Sequence, residues 1–427
     1  MALKNASIAL LLLVLAAGVG TFLLVNEVQQ GEALSLIANA HIDGLIREPL
    51  LLSVRLPDGS SALLDAFVTR PERPGRWPVA LITHGTNGDS SDRTKSPNLF
   101  SSAATVFARH GYAAVVVMRQ GYGQSSGVSE KRDGTCLSPH HARAGRIAAD
   151  DLIAALQAIQ RASWSLPDEA VLIGVSSGGF SVLAAGASNP PGVRAIINFD
   201  GGRGAKGGGK VCGKEQLLTA IKTYGSLSRL PTLWMYATND KVFPLPLGEE
   251  FFAGYIDHGG RGEFFQAPAF GEDGHTFFEW APEEIWWGRV ADFLGKNRLP
   301  SDEIISAPVP DLDPPEGLAI SGKASFQKYL NSQVYEKAFA TNGAGVWAWS
   351  GGHRSQDQAG EKALTRCEKM TLAKKGLPCM VWPRAAQDGS SSYGRRSQVL
   401  RSGSLRDGQP WHADSVTVIT SVTPSCV

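Results

Sequence analysis

The chain has 427 residues, 43% hydrophobic and 19% charged, which indicates a folded globular protein and excludes disorder along its whole length. The formal net charge is +1 and no long basic run occurs, so the charge pattern of a nucleic-acid-binding protein is absent. Because the length exceeds the size at which a single core usually stops growing, we expect one large domain and a smaller one.

An apolar segment, residues 8–25, follows Lys4 at the N-terminus. As a helix it would reach about 27 Å, near the lower limit for crossing a bilayer. A basic start and an apolar middle fit both a cleaved signal peptide and an uncleaved anchor, so both assignments stay open for residues 1–28; a buried core helix is the weaker alternative. Lys4 is the only Lys or Arg before Arg47, which predicts export of the remainder. The protein is then periplasmic or otherwise extracytoplasmic, either secreted or held at the inner membrane.

Residues 29–298 show short β-rich apolar runs that alternate with helical stretches, the pattern of βαβ units and a mostly parallel sheet. Two strands, residues 51–56 and 63–69, flank a turn at 57–60 and start the domain as a hairpin. The predicted buried strands are residues 79–83, 113–118, 170–174, 194–199, 232–236 and 263–267. Apolar residues at helical spacing predict helices at residues 143–161 and 281–296. The fold class is therefore α/β.

A second unit is predicted after a linker at residues 299–320, where Pro, Asp and Ser replace the apolar periodicity. Residues 321–390 form a small α+β domain, with strands at 335–340, 346–349 and 379–382 and a helix at 356–370. The segment at 391–427 is rich in Ser, Gly and Arg, apart from a β-like run at 416–420, and we assign it as a flexible tail.

The five cysteines fit an exported protein, because disulfides persist in oxidising compartments. Cys367 lies on the inward face of its predicted helix, where the strand that starts at Cys379 would meet it. Cys136 and Cys212 lie in Gly-rich loops and are candidates for a second bridge, which leaves Cys426 over.

The strongest chemical signal is the sequence Gly-Val-Ser-Ser-Gly-Gly at residues 174–179, directly after a predicted strand and before a run of small residues. A serine on a sharp strand-to-helix turn needs small residues two positions before and after it, and Gly174 and Gly178 satisfy this requirement. The turn places the Ser176 hydroxyl at a helix N-terminus, where the amide of Ser177 can donate to an oxyanion. Ser176 is the predicted nucleophile.

A serine nucleophile needs a base, and the base needs an orienting carboxylate. Asp240 follows the predicted strand at 232–236, and His275 follows the next strand along the chain, so both lie where open α/β sheets collect functional groups. We predict His275 as the base and Asp240 as its partner. Asp200, at the end of another strand, is the reserve candidate for the acid, and Asp273 is a weaker one.

The second oxyanion donor should come from the loop at residues 84–88, after the first buried strand. We predict the amide of Thr86, with Asn87 as the alternative, and a structural role for His84. The Gly-rich turn at 119–125 lacks the Lys-Ser/Thr pair of a phosphate-binding loop. No cysteine and histidine cluster has zinc spacing, so neither a cofactor nor a metal is expected.

At these positions the chain resembles the dienelactone hydrolase-like branch of the α/β-hydrolase superfamily. The features concerned are His84-Gly85, the turn at 119–125, the Ser176 motif, Asp240 and Gly274-His275, all within residues 50–299. The resemblance implies an eight-stranded, largely parallel sheet that carries a Ser176–His275–Asp240 triad. The hydrolases that gave the family its name use a cysteine nucleophile; serine at 176 favours general ester hydrolysis. The C-terminal unit resembles small cysteine-paired domains of exported bacterial proteins.

The sequence thus predicts a serine hydrolase that cleaves a small-molecule carboxylic ester or lactone through an acyl-enzyme intermediate. A serine peptidase of the same fold is one alternative. An inactive hydrolase-like module that binds envelope components is the other. Loops at residues 128–141 and 201–215 are expected to wall the pocket. The sequence does not identify a protein partner of the C-terminal unit.

Overall fold

The computed structural model describes residues 42, 44–86, 91–130, 134–307, 312–374 and 377–382. The apolar segment at 8–25, Asn87, the tail at 391–427 and Cys426 lie outside the described residues, so the expectations for them stay predictions. Among the helices that are described, none combines the length and apolar character needed to span a membrane.

The described residues between 45 and 267 form ten strands. They are β1 (Leu45–Arg55), β2 (Ser61–Pro71), β3 (Trp77–Thr83), β4 (Ala113–Val117), β5 (Ser165–Val175), β6 (Val193–Phe199), β7 (Ala205–Gly207), β8 (Lys210–Val211), β9 (Pro231–Ala237) and β10 (Arg261–Ala267). Eight of them form one sheet in the order β1-β2-β4-β3-β5-β6-β9-β10, and β7 pairs with β8 in a separate hairpin. Only β2 runs against the rest of the large sheet. The predicted α/β fold with a mostly parallel eight-stranded sheet is therefore confirmed.

In the described part of the chain, seven α-helices cover the two faces of this sheet. They are α1 (Ser101–Arg109), α2 (His141–Gln160), α3 (Ser177–Gly186), α4 (Lys214–Leu227), α5 (Leu245–Ile256), α6 (Phe277–Trp280) and α7 (Glu283–Lys296). Helices α2 to α5 pack on one face and α1, α6 and α7 on the other. Every residue of β4 is buried, which explains its unbroken run of Ala and Val, since a strand covered on both faces has no polar side.

The chain changes direction across the sheet at β3, which pairs with β4 on one side and β5 on the other. The loops that leave β3 and β5 therefore diverge and open a crevice at the carboxyl ends of these strands. Ligands of open α/β sheets bind in such crevices. Residues 84–86 and the motif at 174–179 both lie at this point.

A second unit follows the sheet. It consists of α8 (Ile320–Asn331), β11 (Ala338–Thr341), β12 (Trp347–Ser350), α9 (Gln356–Lys374) and β13 (Met380–Val381). The strands form an antiparallel sheet in the order β12-β11-β13, with a small core against α9 and another against α8. The Cys367–Cys379 disulfide is present and joins α9 to the segment before β13. Helix α8 begins at the end of the predicted linker and was missed.

The two parts of the molecule are in direct contact. The backbone N–H of Tyr335 donates to Ser101 Oγ at 2.9 Å, and Asn98 Nδ2 donates to the carbonyl oxygen of His353 at 2.9 Å. Arg354 forms an ion pair with the buried Asp65 of β2. The second unit is thereby attached to strand β2 and to residues 98–101, at the start of helix α1.

Candidate active site

Ser176 sits on a strained turn between β5 and α3, with φ 57° and ψ −124°. The turn brings backbones into such close contact that a Cβ at Gly178 would lie 2.5 Å from the carbonyl oxygen of His84, and a Cβ at Gly174 would lie 2.2 Å from that of Gly178. The sequence requirement for small residues at these two positions thus has a direct steric cause. Strain of this kind persists only where the surrounding structure enforces it, and it is concentrated at functional sites.

The backbone of Ser176 is held by the neighbouring strand β6. Its N–H donates to the carbonyl oxygen of Phe199 at 3.0 Å, and its own carbonyl oxygen accepts from Gly202 N–H at 3.0 Å. The side chain is partly exposed at the carboxyl edge of the sheet. A fixed backbone with an accessible hydroxyl is the geometry that a nucleophile needs.

His275 and Asp240 meet beside this edge. His275 Nδ1 lies 2.9 Å from Asp240 Oδ2, and the Asp240 side chain is fully buried. The other carboxylate oxygen of Asp240 accepts from the backbone N–H groups of Val242 at 2.6 Å and Phe243 at 2.9 Å. These bonds fix the carboxylate, which in turn holds the proton on Nδ1 and leaves Nε2 with its lone pair.

The loop after β3 lies directly against Ser176. A Cβ at Gly85 would approach Ser176 Cβ to 2.8 Å and Ser176 Oγ to 3.3 Å, so only glycine fits there. The next residue is Thr86, whose amide is the predicted oxyanion donor, and Ser177 N–H begins α3 on the other side of the serine. Thr86 therefore follows a residue that lies against Ser176, and Ser177 follows Ser176 directly.

His84 anchors this loop and does not face the crevice. It is completely buried, its Nδ1 donates to the carbonyl oxygen of Gly85 at 2.8 Å, and its Nε2 accepts from Arg119 N–H at 3.2 Å. Burial, and then the charge of Arg119, hold the pKa of His84 well below its usual range. His84 is thus a neutral structural hydrogen-bonder, as predicted.

Arg119 is a buried cation beneath the oxyanion loop that the sequence did not single out. Its Nη1 donates to the carbonyl oxygen of His84 at 2.7 Å, and its Nη2 contacts Ser177 Oγ at 3.3 Å and Glu130 Oε1 at 2.9 Å. Burial opposes the charge of Arg119, but Glu130 offsets this effect and the pKa of Arg119 rises above its ordinary value. One guanidinium therefore joins both sides of the predicted oxyanion hole.

Asp200, the reserve candidate for the acid, is not the partner of His275 in the structure. It is completely buried behind Asp240, with φ 47°, and its Oδ1 accepts from Ala237 N–H at 3.0 Å. Asp273 is also directed elsewhere, since its Oδ1 accepts from the backbone N–H groups of Lys241 at 3.0 Å and His275 at 3.1 Å. Asp273 thus shapes the loop that carries His275.

The two loops predicted to wall the pocket are joined by the Cys136–Cys212 disulfide. His141 Nε2 contacts the carbonyl oxygen of Cys212 at 2.7 Å, and Arg203 Nη1 contacts His141 Nδ1 at 3.2 Å. Burial lowers the pKa of His141, so the ring is neutral and accepts from Arg203. The loops at 128–141 and 201–215 are thereby held together.

Replacing both Cys136 and Cys212 by Ser should loosen these loops. A bridge that closes a long loop typically contributes about 2–4 kcal/mol to the free energy of unfolding. We expect a lower melting temperature and a higher KM for ester substrates, with kcat less affected because the bridge is not part of the triad. The matched control replaces Cys367 and Cys379, which should leave KM unchanged. Equal KM values in both double variants would contradict the assignment of these loops to the pocket.

The C-terminal unit also packs against helix α6, which follows His275 in the chain. The rings of Trp280 and Trp349 are 5.9 Å apart, and a cavity of about 540 Å³ lies between the two parts of the molecule, with Phe270, Glu279 and Gln333 in its lining. Burial raises the pKa of Glu279, an effect that the charges of Lys95 and His275 oppose. Glu279, in the lining of the cavity, is thus within electrostatic range of His275.

The strand order and the strand-to-helix turn at Ser176 are those of the α/β-hydrolase fold, and the Asp240–His275 pair lies at the same edge of the sheet as this serine. A sequence model of the X-Pro dipeptidyl-peptidase (S15) family matches residues 58–206, which include Ser176 but end before Asp240 and His275. This match covers about a third of the chain. No curated protein matches the chain as a whole or in part.

Similar solved structures include both esterases and peptidases. One, assigned as a dienelactone hydrolase from Klebsiella pneumoniae, is 14% identical over 60% of this chain and 100% of that chain, with a TM-score of 0.39. An acylaminoacyl peptidase from Pyrococcus horikoshii is 16% identical over 61% of this chain and 43% of that chain, with a TM-score of 0.43. A cold-adapted esterase from an Arctic intertidal metagenomic library is 18% identical over 60% of this chain and 95% of that chain, with a TM-score of 0.42.

Proposed function

We propose that the protein hydrolyses a carboxylic ester or lactone through an acyl-enzyme formed on Ser176. The observation that carries this proposal is the hydrogen bond between His275 and Asp240, 2.9 Å long, at the same edge of the sheet as the strained serine. No residue of this set requires a cofactor for the chemistry. A carboxylate, an imidazole and a hydroxyl in this order are the parts of a serine-hydrolase triad.

In the proposed mechanism His275 Nε2 takes the Ser176 proton while the serine oxygen attacks the carbonyl carbon of the ester. Asp240 stabilises the resulting imidazolium through the bond to Nδ1. The amides of Thr86 and Ser177 donate to the oxyanion, and the imidazolium then protonates the leaving alcohol. Water, activated by His275, attacks the acyl-enzyme and releases the acid.

A serine peptidase is the second candidate, and the family-model match to X-Pro dipeptidyl-peptidases favours it. Ester and amide hydrolysis share the triad, but an amine is a much poorer leaving group than an activated phenol. Two substrates with the same acyl group and different leaving groups therefore distinguish the two activities.

The experiment is a matched substrate panel with a fluorophosphonate probe. We expect the probe to label Ser176, and p-nitrophenyl butyrate to be cleaved at least about tenfold faster than butyryl p-nitroanilide, a difference of about 1.4 kcal/mol in barrier. Preferential cleavage of Ala-Pro-p-nitroanilide would support the peptidase instead. A protein that the probe does not label, and that cleaves neither class, would be the inactive binding module.

We further infer that the enzyme acts outside the cytoplasm. The two disulfides are consistent with an extracytoplasmic protein. The apolar segment at 8–25 would direct the export, as a signal peptide or as an inner-membrane anchor. Fractionation of cells that express the full chain distinguishes the signal peptide from the anchor. A cleaved form is recovered in the soluble periplasmic fraction, and an anchored form in the membrane fraction.

A further inference from the structure

Behind the Asp240–His275 pair lies a second carboxyl group that the mechanism above does not use. Asp200 directly follows strand β6, is 0% exposed, and takes a left-handed backbone conformation with φ 47°. Its backbone N–H donates to the carbonyl oxygen of Met235, so the residue is fixed to the neighbouring strand β9. A buried carboxyl group in a strained conformation requires a reason, because burial of an unneeded charge is costly.

The two oxygens of Asp200 have different surroundings. Oδ1 accepts from Ala237 N–H at 3.0 Å, whereas Oδ2 is buried and no donor among the described residues reaches it. The carboxyl group of Asp240 is within side-chain hydrogen-bonding range of the Asp200 carboxyl group, and Asp273 and the hydroxyl of Tyr236 are within electrostatic range. An acceptor facing another acceptor is unsatisfied unless one of the two carries a proton.

The hydrogen bonds show which carboxyl keeps the proton. Asp240 accepts from Val242 N–H, Phe243 N–H and His275 Nδ1, three donors that stabilise its ionised form. Asp200 accepts from one. Two adjacent buried carboxyl groups cannot both ionise at moderate cost, so the group with fewer donors takes the proton. Burial, and then the charge of Asp240, raise the pKa of Asp200 well above its usual range, in agreement with this assignment.

We propose that Asp200 is a positioning residue of the site: its neutral carboxyl group donates a hydrogen bond to Asp240 and so fixes the carboxylate that orients His275. This inference rests on the proposed function. Asp240 follows strand β9 and His275 follows strand β10. The donated bond adds support from strand β6, which Asp200 follows. It also draws negative charge away from the Asp240 oxygens, which weakens their hold on an imidazolium and keeps His275 available as a base.

Two substitutions separate this role from the alternatives. In Asp200→Asn the amide oxygen still accepts from Ala237 N–H and the amide nitrogen still donates to Asp240, so we expect kcat/KM to stay within about threefold of wild type. Asp200→Leu has a similar size but no donor, and we expect kcat to fall by about tenfold or more with KM little changed. Asp257→Asn, which removes an exposed carboxylate at the end of α5, is the control for loss of one charge.

The decisive readout is the midpoint of the acidic limb in the pH profile of kcat/KM. Loss of a neutral donor in Asp200→Leu leaves more charge on Asp240, so its midpoint should move to higher pH, while that of Asp200→Asn stays in place. If Asp200 were ionised, both substitutions would remove a negative charge and move the midpoint to lower pH. A residue with a merely structural role would move neither. Either of these last two results overturns the inference.

The direction of the midpoint shift can also be measured without turnover, by NMR titration of the His275 imidazole nitrogens in wild type and in Asp200→Asn. Wild-type protein without hydrolase activity would refute the proposed function, but the titration would still decide the protonation of Asp200. An unchanged His275 midpoint in Asp200→Asn supports the neutral carboxyl, and a lowered midpoint refutes it. Because Asp200→Asn keeps both hydrogen bonds, the test does not depend on whether Asp200→Leu folds.

Discussion

Ser176→Ala should lower kcat for p-nitrophenyl butyrate by at least about 10⁴-fold, since loss of the nucleophile leaves only binding and the oxyanion donors. The melting temperature should change little, because the Ser176 turn is held through its backbone bonds to Phe199 and Gly202. Full retention of esterase activity in this variant would refute the proposed mechanism. Labelling by the fluorophosphonate probe should be lost in parallel with activity.

Ser177→Ala is the matched control, because this neighbouring serine differs from Ser176 in what it contributes. Its backbone amide, the predicted oxyanion donor, survives the substitution, and only the weak contact between its Oγ and Arg119, 3.3 Å long, is lost. We expect kcat to stay within about tenfold of wild type, the effect of one hydrogen bond. A larger fall in kcat in Ser177→Ala than in Ser176→Ala would mean that the nucleophile is wrongly assigned.

The central strands of the large sheet could be predicted because β3, β4, β6 and β9 are runs of five to seven mostly buried residues. Helix α8 could not, since only Phe326, Tyr329 and Leu330 of its twelve residues point into a core, while Ile320 at its start is 89% exposed. Its apolar face becomes meaningful only against β11 and β12. Those strands lie further along the chain, so the local pattern alone was insufficient.

The order of the strands along the chain predicted that Asp240 and His275 meet, because parallel strands bring their carboxyl ends to one edge. The choice between Asp240 and Asp200 could not be made with the same certainty, since both residues follow a strand. It depends on the loop after β9, which turns so that Val242 N–H and Phe243 N–H bind one Asp240 oxygen and leave the other for His275. Such a turn has no clear signature in sequence.

Arg119 was missed for a different reason. An arginine in a Gly-rich turn is ordinarily exposed, yet this side chain is 0% exposed. Its burial depends on Glu130, eleven residues later, which pairs with it at 2.9 Å and is itself nearly inaccessible. A sequence reading that paired charges across the turn at 119–130 would have found the ion pair. It would not have shown that the pair lies under the oxyanion loop.

Arg119→Met should therefore damage both stability and catalysis. Removing one partner leaves Glu130 buried without its counter-charge, which costs about 3–5 kcal/mol in the free energy of unfolding. The carbonyl oxygen of His84 also loses its donor, so the loop that presents Thr86 loosens. We expect kcat to fall by up to about 10²-fold, as when one oxyanion donor is lost, with a smaller effect on KM. Urea unfolding and steady-state kinetics measure the two effects.

The double variant Arg119→Met, Glu130→Met distinguishes the two effects. Replacing both charges by apolar side chains removes the isolated carboxylate, so most of the lost stability should return. The activity should not return, because neither methionine can donate to His84 or Ser177. Recovery of kcat together with stability would show that Arg119 acts only through folding. Stability regained without kcat would show that this guanidinium holds the oxyanion loop against α3.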